Sequence, residues 1–419
     1  MSDQPVRLGV VGGRRGATFN VALEHLRDRL RLSAVCDLRL ETLERWRERH
    51  PDVRCYQDYQ RMLADDVCDA VFIATPMQVH AAQAVAALDA GKHVISEVTA
   101  CVNHEEALRL IDAVERTGLT YMMAENYIYR RPHMMLWNMA EQGVFGELTY
   151  AEGMYVHDCR DLKFHEDGSL TWRGELSRDM APCNYYPTHS LGPIAKWLGL
   201  GRDDQLATVY CVATPGLCMA DYTRRRFGGD HPGATPDYWR RGDGGHCLVT
   251  TGRGRVISLR TDSSSHRPHH MMVHELQGTR ACYRTQGDAG LDPLIWIDGR
   301  SPTRDDTPHA PATYWQTLAD YADEFEHPRW RAQGETARRA GHGGGDFFVL
   351  EDFIDTIDGR TENPVDVYDA VSWSSLIWLS AESVRTGRAV RAIDYRTPAA
   401  RRAASAALGD YYPLNIIDH

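Results

Sequence analysis

The sequence predicts a two-part chain: a doubly wound α/β domain, then an α+β domain with an open, mainly antiparallel sheet. From Val6 to about Tyr129, short apolar runs bounded by Gly, Asp or Pro alternate with amphipathic stretches, as in parallel sheets covered by helices. Beyond Tyr129, strand-like runs of period two follow closely, with turn signals between them. We therefore divide the chain into 1–128, 129–396 and a tail at 397–419.

The first half alternates predicted strands and helices. The strands are RLGVV, LSAVCD, DAVFIAT, KHVIS and TYMMAEN, and the helices lie near 17–30, 40–50, 79–90 and 104–117. In the second half, the strands are ELTYAEGMYVH, LATVYCVAT, HCLVTTGRGRVISLRTD, HHMMVHELQGTRACYRT and LIWIDG, with a helix before them and YDAVSWSSLIWLSAESVRTG as the closing helix. Segments 166–180 and 219–245 are rich in Gly, Asp, Arg and Pro, which predicts long loops that could carry a site.

Composition excludes several classes of protein. With 419 residues, 43% of them hydrophobic and 25% charged, the chain can bury a substantial core. A net charge of −11 argues against nucleic acid or an anionic membrane as partner and favours a small-molecule function. We expect a cytoplasmic protein, because the N-terminus enters a strand-like segment directly and long apolar runs are absent. The 10 cysteines are scattered without metal-ligand spacing, so we expect reduced thiols and no metal.

A glycine cluster follows the first predicted strand. The segment GGRRG at 12–16 lies between RLGVV and a helix, and Asp37 ends the second strand. Glycines there let the backbone approach a pyrophosphate, and a carboxylate can hold ribose hydroxyls, as in the dinucleotide-binding turn of Rossmann domains. Asp37 favours NAD over NADP because a carboxylate repels a 2′-phosphate. An ordinary tight turn is the alternative, since Val11 stands where the full motif has glycine.

The run from Asp69 to Glu97, DAVFIATPMQVHAAQAVAALDAGKHVISE, resembles the Gfo/Idh/MocA family of nicotinamide-dependent oxidoreductases. Most members continue E-K-P, and that lysine handles the proton of the substrate hydroxyl. Here Val98 and Thr99 follow Glu97, and Lys92 belongs to the G-K-H turn. The resemblance therefore implies NAD and a Rossmann domain, but a different way of moving the proton.

Nine short matches resemble one branch that also lacks this lysine, the NAD-dependent glycosidases of glycoside hydrolase family 109, known as α-N-acetylgalactosaminidases. The matches are Glu97-Val98, E-N-x-x-Y-R-R at 125–131, Q-G-V-F-G-E-L at 142–148, Y-x-H-D at 155–158, W-R at 172–173, Y-P-T-H at 186–189, E-H-P-x-W at 326–330, G-H-G-G-x-D at 341–346 and D-V-Y-D at 366–369. Their order over much of the chain implies relationship more strongly than it implies an identical substrate.

The glycine loop, the strand ends and the resemblance together give two sets of candidate residues. The candidates for cofactor binding are Gly12, Gly13, Arg14, Arg15, Asp37, Thr75, His80, Glu97, Val98, Glu125 and Asn126. The candidates for substrate binding are Tyr155, Arg173, Tyr186, Pro187, Thr188, His189 and His269. His269 stands where the family has a substrate-contacting tyrosine, and Met77 and Val79 replace family aromatics. For Glu125 and Asn126, a simple strand cap is the alternative interpretation.

The resemblance implies a glycosidase that oxidises the sugar at C3 transiently, eliminates the aglycone, adds water and returns the hydride. With the lysine missing, His189 and Tyr155 are the best proton carriers, and Arg173 could lower the pKa of the tyrosine. Their division of labour stays open. A histidine that satisfies backbone groups and a core tyrosine are the structural alternatives.

The segment 341–346, GHGGGD, invites a phosphate-loop interpretation, which we reject because no lysine or Ser/Thr follows. We expect Asp346 to cap the following helix, with His342 near the site. The arginines of 222–227 and 240–241 are expected to face solvent or a partner subunit, with recognition of an anionic sugar as the alternative.

Two other functions remain possible from the sequence. One is an NAD-dependent sugar or cyclitol dehydrogenase or epimerase that forms a 3-keto product. The other is a nucleotide-binding regulator without chemistry. By resemblance we also expect a homodimer or homotetramer, because open sheets in this family usually bury one face against another subunit.

Overall fold

The computed structural model describes residues 4–268, 272–286, 290–303, 305–306 and 314–408. The chain forms two compact units, and neither is continuous in sequence. The first unit comprises Met1–His133 and His327–Ser374, and the second comprises Met134–Glu326 and Ser375–His419. The late segment of the first unit carries the GHGGGD motif, which the sequence order alone does not place beside the N-terminal strands.

The first unit contains a parallel sheet of six strands in the order β3-β2-β1-β4-β5-β6. The strands are β1 Val6–Val11, β2 Leu30–Cys36, β3 Arg54–Tyr56, β4 Ala70–Ile73, β5 His93–Ser96 and β6 Tyr121–Met123. The helices before the second unit are α1 Gly13–Gly16, α2 Asn20–His25, α3 Leu40–Arg49, α4 Tyr59–Ala64, α5 His80–Asp89, α6 His104–Thr117 and α7 Arg131–Glu141, which runs across the boundary. The prediction of a doubly wound α/β fold is confirmed.

Apolar burial explains why these strands were visible in the sequence. Every residue of β4 is buried, and so are Leu8 and Val10 of β1, as expected for strands covered on both faces. The sequence analysis missed β3, because a strand of three residues with an exposed Arg54 gives almost no apolar signal.

The second unit contains a nine-stranded sheet in the order β14-β13-β12-β11-β7-β10-β9-β8-β15. Neighbouring strands are antiparallel except β7 and β10, which are parallel, so the predicted mainly antiparallel sheet is confirmed. The strands are β7 Leu148–Val156, β8 Leu206–Ala213, β9 Gly244–Thr251, β10 Val256–Asp262, β11 Met272–Gly278, β12 Ala281–Arg284, β13 Leu294–Ile297, β14 Gln316–Thr317 and β15 Val390–Arg391.

Helices cover one face of this sheet. The helices of the second unit after α7 are α8 Trp172–Asp179, α9 Thr188–Leu198, α10 Leu217–Phe227, α11 Ala322–Phe325, α15 Leu376–Thr386 and α16 Pro398–Leu408. The late segment of the first unit contains α12 Pro328–Ala337, α13 Gly345–Ile357 and α14 Val367–Ser374. Helix α9 packs on β7 and α15 on β8, whereas Tyr210, Val212 and Leu248 of β8 and β9 stay exposed. The alternation of buried and exposed residues along β9 follows from this one-sided covering.

Two predicted loops are wrong in part. Segment 166–180 contains α8, and segment 219–245 begins inside α10. Tertiary contacts stabilise α10 despite its polar sequence: the Asp243 carboxylate accepts hydrogen bonds from the N–H groups of Cys218 and Met219, and Trp239 packs against its buried face. Such long-range caps are invisible in a local sequence window.

Three further properties concern the described residues alone. All 10 cysteines have no disulfide partner, and most of them are buried. We find there no group of three His, Cys, Asp or Glu side chains that could hold a metal ion. Within the same ranges, every helix is too short or too polar to cross a membrane.

Candidate active site

The glycine loop makes a tight turn at the end of β1. Gly12 has φ 86°, and a Cβ there would lie 2.4 Å from the carbonyl oxygen of Ala74. The Trp46 indole N–H donates to the carbonyl oxygen of Gly13 at 2.9 Å, and a Cβ on Gly13 would meet that indole nitrogen at 2.8 Å. Contacts within the protein therefore require glycine at both positions, and the resulting tight turn follows β1, where dinucleotide-binding domains have theirs. Arg14, next in the loop, is exposed.

Arg15 connects the glycine loop to the end of β5. Its guanidinium donates to Oε1 of Glu97 from Nε at 2.7 Å and lies 2.6 Å from the same oxygen through Nη2. Glu97 is only 6% exposed, so a buried carboxylate would be destabilising without this partner. The arginine also lies over the Phe19 ring. The next residue, Val98, is buried where most of the wider family has lysine.

Asp37 and Thr75 lie at two other strand ends of the same sheet. The half-buried Asp37 carboxylate accepts the N–H of Arg39 at 2.9 Å, which aims it along the end of β2. The Thr75 hydroxyl donates to Gln83 Oε1 at 2.6 Å after β4. Lys92 pairs with Asp66 at 2.7 Å, so the lysine nearest in sequence is engaged away from these strand ends.

His80 is fully enclosed and contacts two backbone carbonyls. Its Nδ1 lies 2.8 Å from the oxygen of Thr99, and its Nε2 lies 2.7 Å from that of Thr75. Burial lowers the pKa of this histidine, and the two carbonyls oppose that shift. Because both ring nitrogens are used inside the protein, His80 joins the loops that follow β4 and β5 through its backbone contacts.

Glu125 and Asn126 follow β6 and are completely buried. The Glu125 carboxylate accepts the N–H of Tyr127 at 3.2 Å and so caps the short 3-10 helix Asn126–Tyr129. The Asn126 amide donates from Nδ2 to Oδ1 of Asp346 at 2.8 Å. Nothing in the sequence pointed to that contact, which joins residues 220 apart.

The expectation that Asp346 caps its helix is wrong. The N-cap of α13 is Gly344, which makes no side-chain cap, and Asp346 lies within the first turn. Its carboxylate is instead 3.0 Å from His342 Nδ1 through each oxygen, besides accepting from Asn126. Asp346 therefore positions the side chains of His342 and Asn126, and the N-terminus of α13 has no side-chain cap.

The second unit gathers three of the predicted substrate residues. Tyr155 is next to last in β7, Tyr186 precedes α9, and His189 lies in its first turn. Ring centroids are 5.4 Å apart for Tyr155 and Tyr186, 5.2 Å for Tyr155 and His189, and 5.2 Å for Tyr186 and His189. We call these three side chains the ring cluster. Its histidine is only 5% exposed, so it is held in place by packing.

The segment before α9 is fastened to β10. The hydroxyl of Thr261 donates to Asn184 Oδ1 at 2.5 Å and lies 3.3 Å from the carbonyl oxygen of Tyr186. Pro187 is the N-cap of α9, and the buried Thr188 begins the helix. These contacts fix the backbone that carries the ring cluster.

Arg173 is another predicted substrate residue, and it lies in α8. Arg173, in α8, is exposed, and its guanidinium lies 4.2 Å from the Trp172 ring centroid. Its expected effect on the pKa of Tyr155 stays a prediction. His269 lies outside the described residues.

Two cations of the second unit are buried: Lys163, which sequence reasoning missed, and Arg241, for which the expectation of a position facing solvent or a partner subunit is wrong because the Tyr185 ring packs against its guanidinium. Lys163 is 2% exposed, and its Nζ donates to Ser264 Oγ at 2.5 Å. Arg241 is 3% exposed, and its guanidinium lies 3.7 Å from the Tyr185 ring centroid. Burial, with repulsion from Arg241, lowers the pKa of Lys163 to about 7. The scarcity of lysine was the one available signal, and it gave no location.

Two family models match the chain. The model described as "Oxidoreductase family, NAD-binding Rossmann fold" matches residues 6–125, and "Glycosyl hydrolase 109, C-terminal domain" matches residues 129–397. A glycosyl hydrolase family 109 protein of Stenotrophomonas maltophilia is 33% identical over 408 residues, covering 90% of this chain and 86% of the relative. An alpha-N-acetylgalactosaminidase of Tannerella forsythia is 29% identical, covering 93% and 86%.

Solved structures share the fold at low identity. Levoglucosan dehydrogenase in complex with NADH and L-sorbose has a TM-score of 0.72 at 20% identity, covering 93% of this chain and 99% of that one. The WlbA dehydrogenase of Bordetella pertussis, in complex with NADH and UDP-GlcNAcA, has a TM-score of 0.69 at 18% identity, with the same coverage. At these identities the likeness concerns the fold.

Proposed function

The chain belongs to glycosyl hydrolase family 109, and from that premise we propose that it cleaves a glycosidic bond through transient oxidation of the sugar at C3. Its cofactor is NAD, bound by the Rossmann domain. In the proposed cycle, elimination releases the aglycone, water adds, and re-reduction completes hydrolysis without net redox change. The first unit holds the cofactor in this proposal, and the second holds the sugar.

The residues of the first unit fit a dinucleotide. The glycine loop makes the tight turn after β1 that dinucleotide-binding domains use, and Asp37 at the end of β2 supplies a carboxylate suited to a ribose diol. The buried Asn126 keeps its Oδ1 without a partner among the described residues. When bound, NAD takes a hydride from the sugar and later returns it. Glu97 holds Arg15 against the loop, which is a positioning role.

We assign proton transfer to His189 and Tyr155. Oxidation needs a base for the C3 hydroxyl proton, and elimination needs a base for the C2 proton and a donor for the leaving oxygen. The imidazole and the phenol of the ring cluster, 5.2 Å apart between centroids, can carry protons without the lysine that Val98 replaces. This pairing of a missing lysine with a histidine–tyrosine cluster is the observation that carries the proposal. Which group acts at C2 stays open.

We propose an α-N-acetylgalactosaminide as the substrate class, supported by the names of relatives from Tannerella forsythia and Shewanella oneidensis. Tyr155, Arg173 and the segment 186–189 would contact the sugar, and His269 would replace a family tyrosine there.

A sugar dehydrogenase that stops at a 3-keto product is the second candidate, and the fold likeness to levoglucosan dehydrogenase favours it. One experiment separates the two. Purified protein is incubated with p-nitrophenyl glycosides, including the α-N-acetylgalactosaminide, while nitrophenol and the absorbance of NADH are both recorded. Nitrophenol release without accumulation of NADH is expected. NADH accumulation without release would support the dehydrogenase, and retained NAD binding with neither signal would support a regulator.

We further propose that residues 1–128, together with segment 327–374 of the same unit, act in NAD binding, and that the rest of 129–396 acts in substrate binding and association. A homodimer or homotetramer is supported by the exposed apolar side chains of Tyr210, Val212 and Leu248 on one sheet face. Light scattering during size-exclusion chromatography would reveal a monomer if this is wrong. A cytoplasmic location is the final part of the proposal, and cell fractionation tests it.

A further inference from the structure

A left-handed turn precedes α13 in the first unit. The φ angles are 53° for His342, 65° for Gly343 and 98° for Gly344. Glycine adopts such angles without strain, whereas a histidine does so at a disadvantage and is uncommon there. A residue kept in this conformation is a reason to look for a function of its side chain.

The contact with Asp346 fixes the hydrogen of the His342 ring. Its Nδ1 lies 3.0 Å from both oxygens of a carboxylate that is fully buried. A carboxylate only accepts hydrogen bonds, so Nδ1 carries the hydrogen and donates. In the neutral ring, Nε2 is then an acceptor. The side chain is 25% exposed, which leaves this nitrogen open to a ligand.

The same carboxylate also fixes Asn126. The amide donates from Nδ2 to Asp346, so its orientation is set and Oδ1 points away from the aspartate. Asn126 is 0% exposed, and its Oδ1 has no hydrogen-bond partner among the described residues. A buried polar atom without a partner is destabilising unless a ligand or water satisfies it. The Asp346 carboxylate therefore orients two acceptor atoms, Nε2 of His342 and Oδ1 of Asn126.

Glycines bring this arrangement close to the sheet edge. A Cβ on Gly345 would lie 2.2 Å from the Asn126 carbonyl oxygen, so the loop packs directly on the backbone after β6. A Cβ on Gly341 would lie 3.7 Å from the carbonyl oxygen of Thr18, whose hydroxyl accepts from Arg15. The turn thus flanks both β6 and the glycine loop, at the carboxyl edge where ligands bind in such sheets.

We propose that His342 Nε2 and Asn126 Oδ1 bind hydrogen-bond donors of the nicotinamide nucleoside half of NAD, namely ribose hydroxyls or the carboxamide N–H. Two acceptors and a buried carboxylate exclude the pyrophosphate, which has no donors at neutral pH. Asp37 at β2 serves the adenine side, and three strands lie between β2 and β6, a separation of roughly 19 Å at about 4.8 Å per step. That distance suits the far half of an extended dinucleotide. The inference rests on NAD as cofactor in the proposed function.

The test compares two ligands on variants of the intact chain after removal of copurified nucleotide. His342→Ala removes one acceptor and is expected to raise the dissociation constant of NAD⁺ about 10-fold, the usual worth of one well-placed hydrogen bond. ADP lacks the nicotinamide nucleoside, so its affinity should not change. In His342→Gln, the side-chain oxygen can stand near the position of Nε2, and part of the NAD⁺ affinity should return. Isothermal titration calorimetry measures all four variant–ligand pairs.

Asp346→Asn sharpens the result. The new amide can present an N–H to His342, which lets the ring place its hydrogen on Nε2 and turns the acceptor into a donor. NAD⁺ binding should weaken again while ADP binding stays unchanged. Equal NAD⁺ affinity in wild type and His342→Ala would overturn the inference, and so would an equal loss for NAD⁺ and ADP, which would indicate a collapsed loop. Because binding is measured without turnover, wild type that binds NAD⁺ but hydrolyses no glycoside contradicts only the proposed function.

Discussion

The cofactor edge of the first unit and the ring cluster of the second are built by different interactions. At the cofactor edge, Arg15 is fixed by Glu97, and His80 lies between two carbonyls. In the ring cluster, His189 is positioned by the faces and edges of two tyrosines. Hydrogen bonds between buried groups hold a side chain at the cofactor edge in one place, whereas contacts between ring faces and edges orient the side chains of the ring cluster.

This difference matches the two proposed roles, which are binding of NAD at the cofactor edge and proton transfer in the ring cluster. NAD needs a preorganised cradle that keeps its shape through a cycle, and a network of paired groups supplies one. Proton transfer needs nitrogen and oxygen atoms that can change their hydrogen, and the ring cluster supplies these. The two regions should therefore respond differently to substitution: the first through affinity and stability, the second through turnover.

The largest effect is expected from His189→Ala, which removes one proposed proton carrier from the ring cluster and leaves the cofactor residues unchanged. Loss of a proton carrier should lower kcat for a p-nitrophenyl glycoside by roughly 10²- to 10⁴-fold. The dissociation constant of NAD⁺ should stay the same, because the assigned cofactor residues lie in the other unit. His25→Ala replaces an exposed histidine of α2 that belongs to neither set of candidate residues, so it is the control and should keep full turnover. Undiminished turnover in His189→Ala would remove His189 from the mechanism.

The next effect concerns the scaffold of the cofactor edge. His80→Ala removes the ring that contacts the carbonyls of Thr75 and Thr99, one of which loses a hydrogen bond, and opens a cavity. We expect the free energy of unfolding to fall by roughly 2–4 kcal/mol in urea titrations. The exposed His25→Ala should change it by less than about 0.5 kcal/mol. Equal stabilities of the two variants would mean that the His80 contacts contribute nothing measurable.

The third comparison concerns a pH dependence in the second unit, which is smaller for each pH unit than the loss expected for His80→Ala. The pKa of Lys163 is lowered from 10.5 to about 7 by burial, so between those values the unfolded chain binds a proton that the folded chain does not. Raising the pH through this window therefore adds a contribution from Lys163 that stabilises the folded state by roughly 1.4 kcal/mol per pH unit. Buried cysteines such as Cys159, whose pKa is raised, contribute with the opposite sign, so the measurement is the difference in unfolding free energy between wild type and Lys163→Met as a function of pH. That difference should change with pH across the window, whereas the difference between wild type and Lys196→Met, near the Trp137 ring, should not. A difference for Lys163→Met that does not depend on pH would refute the assignment.

Much of the candidate site was predictable because it sits at ends of regular elements. Asp37, Glu97 and Asn126 each follow a strand of the parallel sheet. Apolar periodicity and the order of strands and helices along the chain locate such strand ends. The contact of Asn126 with Asp346 was not predictable, because chain order says nothing about a pair 220 residues apart. Burial of Lys163 was equally hidden, since its local sequence is polar and the enclosing side chains come from distant segments.

Apolar periodicity and the positions of glycine and carboxylate residues determined, from the sequence alone, a parallel sheet that binds NAD and an antiparallel sheet after it. Those features act locally, through backbone geometry and the burial of one strand or helix face at a time. The tertiary structure decided which side chains share a proton or a ring contact: the ring cluster, the two carbonyls at His80 and the aspartate between His342 and Asn126. Such contacts depend on distances of a few ångströms between segments far apart in the chain, which only the folded packing fixes.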